Sequence, residues 1–349
     1  MLPAGGLSRS AGWHDHRMTA RGTARGAAAF ALAVLAGALA GCAGDQPALD
    51  DAAAWRTSRA PVATEGLAWA AGSTVHLADG TTVDTGTPVR AFLVGGDGVF
   101  FVPAEGDDDV AFTEAPLWFA APGSEAEDTG LTVSSTGVAI SPDGSALAVL
   151  DADTDEGSAV MRLFDLSSGE ETTSEDGMDT SGIDDPVDHL LESEVEILGI
   201  TDQEVAARVI NGDWAYDLAT GDGRALDGDE PPGVPDDPEL SPDGAWRIDL
   251  RPGLRDALVA PSGDEVVPDT GTPRWTLSSW VDADTVLGVA VDGPGEGDEI
   301  GPDDTLALVT CEVPSGDCRP VDGTSGERVV LPLRTQPTSV IDLRPREAS

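Results

Sequence analysis

The chain has 349 residues, with 19 Lys+Arg against 64 Asp+Glu and a formal net charge of −45. Such acidity argues against nucleic acid and against anionic lipid headgroups, which would repel it, and favours cations or a basic partner. High charge can also mean disorder, but apolar, β-rich runs recur along the chain. They leave about 270 residues for a folded domain, enough for a real core.

Ala27 to Gly41 is almost wholly Ala, Leu, Val and Gly, with Arg21 and Arg25 just ahead. A basic stretch followed by a short apolar run with small residues at its end is the pattern of a secretory signal. The run falls short of the ~20 apolar residues a spanning helix needs. Met18 is the expected translation start, which places residues 1–17 upstream of the protein proper. Leu39-Ala40-Gly41-Cys42 resembles the lipobox of bacterial lipoproteins. The resemblance implies cleavage of residues 1–41, acyl chains such as palmitate on Cys42, and anchoring on the extracytoplasmic face of the cell membrane. A plain cleaved signal is the alternative. Abundant Ala, Gly and Asp with no lysine at all point to a high-GC, actinobacterial genome. Residues 42–62 are then a lipidated tether, flexible from Asp45 to Pro61, residues 63–335 the folded domain, and 336–349 a C-terminal tail.

Within the domain one short pattern recurs. Val75-His76-Leu77-Ala78-Asp79-Gly80 and Trp118-Phe119-Ala120-Ala121-Pro122-Gly123 are loose copies. Phe164-Asp165-Leu166-Ser167-Ser168-Gly169 and Tyr216-Asp217-Leu218-Ala219-Thr220-Gly221 are close ones, and similar runs end at Gly263 and Gly316. Each reads as a strand entering a turn whose glycine takes positive φ. The turn glycines fall 42 to 53 residues apart, a period that short strands alone fill only in propeller blades. Ile140-Ser141-Pro142-Asp143-Gly144 and Leu240-Ser241-Pro242-Asp243-Gly244 resemble the Ser-Pro-Asp-Gly turn of WD40-like and TolB-type propeller repeats. In that family this turn joins the innermost strand of a blade, strand A, to strand B. Gly95-Gly96-Asp97-Gly98 and Thr201-Asp202-Gln203 hold the matching places. The expected fold is all-β, a single propeller of six four-stranded blades, with an open seven-bladed ring as the alternative. The first blade begins at Leu67 to Ala71 without a strand A. Arg328 to Leu333 is expected to supply it and close the ring, although Pro332 removes a ladder donor.

The resemblance also implies that A–B and C–D turns share one face, B–C and D–A connections the other. The long segments all fall on the second face, at Gly106 to Asp109, Asp151 to Gly157, Asp176 to Glu194, Asp227 to Glu239 and Asp292 to Asp304. Insertions confined to one face mark it as the binding face. Asp107, Asp108, Asp109, Asp151, Asp153 and Asp155 are the candidate cation- or partner-binding residues. Weak Ca²⁺ binding is open to them, but an EF-hand loop needs Gly sixth and Glu twelfth, where this chain has Glu156 and Arg162. Asp84-Thr85-Gly86-Thr87 and Asp269-Thr270-Gly271-Thr272 resemble the paired aspartates of pepsin-like proteases. A third copy at Asp128-Thr129-Gly130 favours a repeated turn at the end of each strand D.

After Cys42 only His76 and His189 remain, and no catalytic residue is assigned. Cys311 and Cys318 flank a turn that brings two strands face to face, and a disulfide is expected there. The functional expectation is a monomeric, cofactor-free scaffold or recognition module that binds an envelope protein or ligand through its acidic loops. A hydrolase with its site at the propeller channel is the alternative.

Overall fold

The computed structural model describes residues 54–104, 111–112, 114–153, 157–181, 183–185, 187–188, 195–228, 231–233, 237–295, 297–333 and 340–344. Cys42, Asp107, Asp108, Asp109, Asp155 and His189 lie outside the described residues. The described residues form six antiparallel sheets. Sheet 1 contains β1 (Trp69–Ala71), β2 (Thr74–His76) and β3 (Thr82–Asp84). Sheet 2 is β4 (Val89–Gly95), β5 (Gly98–Pro103), β6 (Ala115–Ala120) and β7 (Glu127–Val133). Sheet 3 is β8 (Val138–Ile140), β9 (Ala146–Asp153), β10 (Ser158–Asp165) and β11 (Glu170–Ser174). Sheet 4 is β12 (Glu196–Ile200), β13 (Glu204–Val209), β14 (Gly212–Asp217) and β15 (Gly223–Ala225). Sheet 5 is β16 (Arg247–Asp249), β17 (Ala257–Val259) and β18 (Glu265–Val266). Sheet 6 is β19 (Arg274–Trp280), β20 (Thr285–Asp292), β21 (Thr305–Glu312) and β22 (Cys318–Pro320).

Burial explains why these sheets stack. Ala146 to Leu150 of β9 and Val286 to Val291 of β20 are continuously buried, so both faces of the inner strands need cover. Outer strands such as β7 alternate buried and less buried residues, as half-covered strands do. Neighbouring sheets supply the cover. Phe100 and Leu117 of sheet 2 pack with Leu147 and Phe164 of sheet 3. Sheets 3 and 4 meet through Met161, Leu163, Val205 and Tyr216. Equivalent clusters join sheets 1 and 2, 5 and 6, and 6 and 1.

The last of these contacts brings the last sheet against the first. β23 (Arg328–Val330) pairs antiparallel with β1, matching Val330 to Ala70 and Val329 to Ala71. This removes the open edge that sheet 1 would otherwise present. Pro332 lies beyond the end of β23 and withholds no donor from that ladder. A cavity of about 960 Å³ is lined by strand residues of sheets 2, 3 and 4, such as Leu93, Ala139 and Leu198, and by segments flanking the strands of sheets 1, 5 and 6, such as Ala68, Pro242 and Val281. Six antiparallel sheets around a central channel, with apolar clusters joining five of the six neighbouring pairs, make the fold a β-propeller.

Three expectations need correction. The boundary at residue 335 leaves out β24 (Val340–Asp342), which pairs with β23 and adds a fifth strand to sheet 1. The Val-Ile run of β24 is too short to register as an element until a partner edge is present. The flexible tether does not reach Pro61, because Trp55 is buried at 2% exposure between sheets 2 and 3. One large aromatic in an Ala- and Asp-rich stretch leaves no periodic signal, yet burying it is worth about 2–3 kcal/mol. Sheet 5 has three strands, and its strand A is reduced to a single bridge between Leu240 and Arg247.

Candidate functional site

Antiparallel strands alternate in direction, so A–B and C–D turns come to one face and B–C and D–A connections to the other. The short-turn face is built by repetition. In both Ser-Pro-Asp-Gly turns the serine hydroxyl donates to the aspartate, Ser141 to Asp143 at 2.6 Å and Ser241 to Asp243 at 2.7 Å. Each serine Oγ also accepts the backbone N–H five residues on, at 2.9 Å from Ala146 and from Trp246. The C–D turns are capped alike, Asp165 accepting N–H groups of Ser167 and Ser168, and Asp217 those of Ala219 and Thr220. Partial burial pushes the Asp143 and Asp165 carboxyls up, but these hydrogen bonds outweigh it and hold both below the ordinary carboxylate value.

Asp97 departs from this scheme. Its turn has lost the serine, and its carboxylate faces the N-terminal segment instead. It accepts the Ser58 hydroxyl and the N–H groups of Arg59 and Ala60, both at 2.9 Å. Burial raises the Asp97 pKa, and these bonds, with the Arg59 charge, lower it further than burial raises it. Around this clamp, the Trp55 backbone N–H donates to Glu127 at 2.8 Å, and its ring meets Phe164 edge-on at 5.3 Å. The Ser58 N–H donates to the Leu166 carbonyl in a C–D turn, and the Val62 N–H to the Gly96 carbonyl at 3.0 Å. Residues 55–66 are therefore a strap bound across the short-turn face.

The channel cavity belongs to the same face. Ser141 and Pro142, Pro242, and Asp282 and Ala283 line it from three A–B turns, and Thr64 to Gly66 of the strap form part of its wall. Deeper, the lining is apolar, with Leu93, Val94, Ala139, Leu198, Ile200 and Leu333. Its carboxylates are Glu65 and Asp282, both exposed, and no Arg, Lys, His or Cys is among the lining residues. The hydroxyl of Ser141 is committed to Asp143.

The long-loop face carries paired charges. Asp151 and Asp153 sit at the end of β9, opposite Val160 and Ser158 of β10, and not in a free loop. Both are exposed, and Asp151 lies 3.8 Å from the Arg162 guanidinium. Among the described residues, no three His, Cys, Asp or Glu side chains converge so as to hold a metal ion. Arg251 bridges Asp249 at 2.7 Å and Glu265 at 2.9 Å, which raises its own pKa and lowers that of Glu265. The loop after β20 folds over a buried ion pair, Arg274 and Asp304, 2.7 Å apart with side chains 4% and 1% exposed. Arg274 also donates to the Glu299 carbonyl, and Asp304 accepts the Gly301 N–H. The Arg274 guanidinium and that N–H hold the Asp304 carboxyl below its ordinary range.

The pepsin-like motif is dispersed. Asp84 ends β3 in sheet 1, Asp269 follows β18 in sheet 5, and both are exposed. Asp84 accepts the N–H of its own Gly86, and Asp128 that of Gly130, as repeated turn chemistry requires. The third copy does not close a strand. It forms a bulge inside β7, where the register shifts between Leu117 and Trp118. His76 stacks on Trp69 at 3.9 Å, and burial lowers its pKa. Cys311 and Cys318 oppose each other on β21 and β22 and are joined by a disulfide.

No described protein family matches the sequence, and no curated protein does. Solved structures show similarity in strand arrangement. One is TolB from Acinetobacter baumannii, 14% identical, with a TM-score of 0.30 over 79% of this chain and 65% of that one. The AtxE2 isopeptidase without ligand is 12% identical, with a TM-score of 0.35 over 82% of this chain and 55% of that one. The β-propeller domain of the trilobed protease from Pyrococcus furiosus is 11% identical, with a TM-score of 0.29 over 65% and 69%. The chain thus spans less than two thirds of the TolB and isopeptidase chains. At these values no residue role is carried across, and the propeller assignment rests on the channel and the sheet contacts.

Proposed function

We propose that this protein is a lipid-anchored, extracytoplasmic β-propeller that recognises or scaffolds a basic envelope partner through its acidic long-loop face. The observation that carries the reading is the strap. Trp55 and Asp97 pin the start of the domain to the short-turn face, so a chain anchored at Cys42 is held from that side. Twelve residues, 43–54, separate Cys42 from the strap and reach at most ~43 Å when fully extended. The tether is thus shorter than composition implies, and the long-loop face is directed away from the membrane. The partner's basic character follows from the −45 net charge and from the exposed Asp151 and Asp153. A binding role is favoured over hydrolysis because, among the described residues, the channel lining pairs no base with a nucleophile.

Crosslinking in intact cells, with photoreactive groups placed at position 151 or at position 298, tests the reading. A distinct partner captured from the long-loop positions and not from position 282 supports it. Capture from position 282 alone would reverse the assignment of faces.

A further inference from the structure

We propose that the channel cavity is a binding site for a single hydrocarbon chain carrying an uncharged or cationic head. Its volume, about 960 Å³, lies within the range of ligand pockets. The walls are the apolar side chains of Leu198, Ile200, Val281 and Leu333, brought in from sheets 4, 6 and the stretch after β23. An apolar hollow gains by taking up hydrocarbon.

The choice of head follows from charge. Glu65 and Asp282 are exposed among the lining residues, and no Arg or Lys accompanies them among the described residues. A fatty-acid carboxylate or a lipid phosphate would meet two like charges there. A quaternary ammonium or a glycoside head would not. Position also favours an amphiphile, since Thr64 to Gly66 make the strap part of the wall. If the chain is anchored as proposed above, the mouth is held toward the bilayer, where single-chain amphiphiles partition.

Isothermal titration on the chain carrying Cys42→Ser, which has no acyl groups of its own, tests this apart from the anchoring. The probes are dodecyltrimethylammonium, decyl glucoside and dodecanoate, each below its micellar concentration. The expected result is one saturable site for the first two and binding at least about tenfold weaker for dodecanoate. Leu198→Trp or Val281→Trp, which fill the hollow, should each weaken the first two by about tenfold. Thermal melts of both variants check folding, and two positions on different sheets guard against local damage. Glu65→Gln with Asp282→Asn should weaken the ammonium probe about threefold and leave the glucoside unchanged. Ammonium binding at many sites, indifferent to both tryptophan variants, would be attraction to the acidic surface and would overturn the proposal. So would failure of the glucoside to saturate, or dodecanoate binding as tightly as the ammonium.

Discussion

The two faces of this propeller are built by opposite rules. The short-turn face repeats one turn chemistry and contains the hollow. The long-loop face varies from sheet to sheet and holds its charges in pairs, with Arg251 between Asp249 and Glu265 and Arg274 buried against Asp304. Loop length therefore locates where the surface is diverse, while the channel hollow lies at the uniform face. The strap adds a second contrast, because it binds the uniform face at the turn Gly95 to Gly98, whose aspartate accepts from the strap and not from its own turn.

The largest effect should come from the long-loop face. Asp304→Asn leaves Arg274 buried without its counter-charge and is expected to cost about 3–5 kcal/mol in denaturant unfolding. A loss below about 1 kcal/mol would mean that the pair is solvated, and that this face is loosely held. Trp55→Ala should cost about 3 kcal/mol, since it empties a site between Phe100 and Phe164. If melting is unchanged, the strap is an adornment and the faces are not distinguished by it. Asp97→Ala removes three hydrogen bonds to the strap and should lower stability by about 1–2 kcal/mol. Hydrogen exchange should show the loss concentrated at Arg59, Ala60 and Val62.

The smallest expected effects are those of pH and salt. Asp97, Asp143 and Asp165 are held below the ordinary carboxylate value, near 3.9. Their contribution is complete above that pH and is lost as pH falls through the folded-state values, because the unfolded chain then binds protons more readily. The short-turn face should loosen on acidification, seen as faster exchange at the strap. Salt should act in the other direction. Screening a net charge of −45 relieves self-repulsion, so melting should rise by a few degrees between ~0.01 and ~0.5 M salt. A fall would show that the paired charges of the long-loop face dominate.

The ring was legible in the sequence because its turns carry chemistry that strands do not. Gly80, Gly123, Gly169, Gly221, Gly263 and Gly316 all have positive φ, between 73° and 88°. Asp165 and Asp217 cap their turns as the repeated pattern implies. The pairing of β23 with β1 followed from the missing first strand. The channel cavity was not legible, because each sheet contributes only a few residues to it and no window of sequence contains two of its walls. Trp55 was not legible because its partners, Phe100, Glu127 and Phe164, lie 45 to 109 positions away. Asp128-Thr129-Gly130 misled because the same hydrogen bonds serve a strand end and a bulge. Asp151 and Asp153 read as loop because acidic residues are rare in strands, yet β10 pairs with them.

The central claim is that the strap presents the short-turn face to the membrane and the long-loop face outward. It is tested most directly by energy transfer from a donor dye on the lipidated protein to an acceptor dye in vesicles. The donor is placed in turn at Asp282→Cys, on the short-turn face, and at Asp298→Cys, on the long-loop face. The account predicts strong transfer from position 282 and weak transfer from position 298, with the difference abolished by Trp55→Ala combined with Asp97→Ala. Equal transfer from both positions, or stronger transfer from position 298, would contradict it.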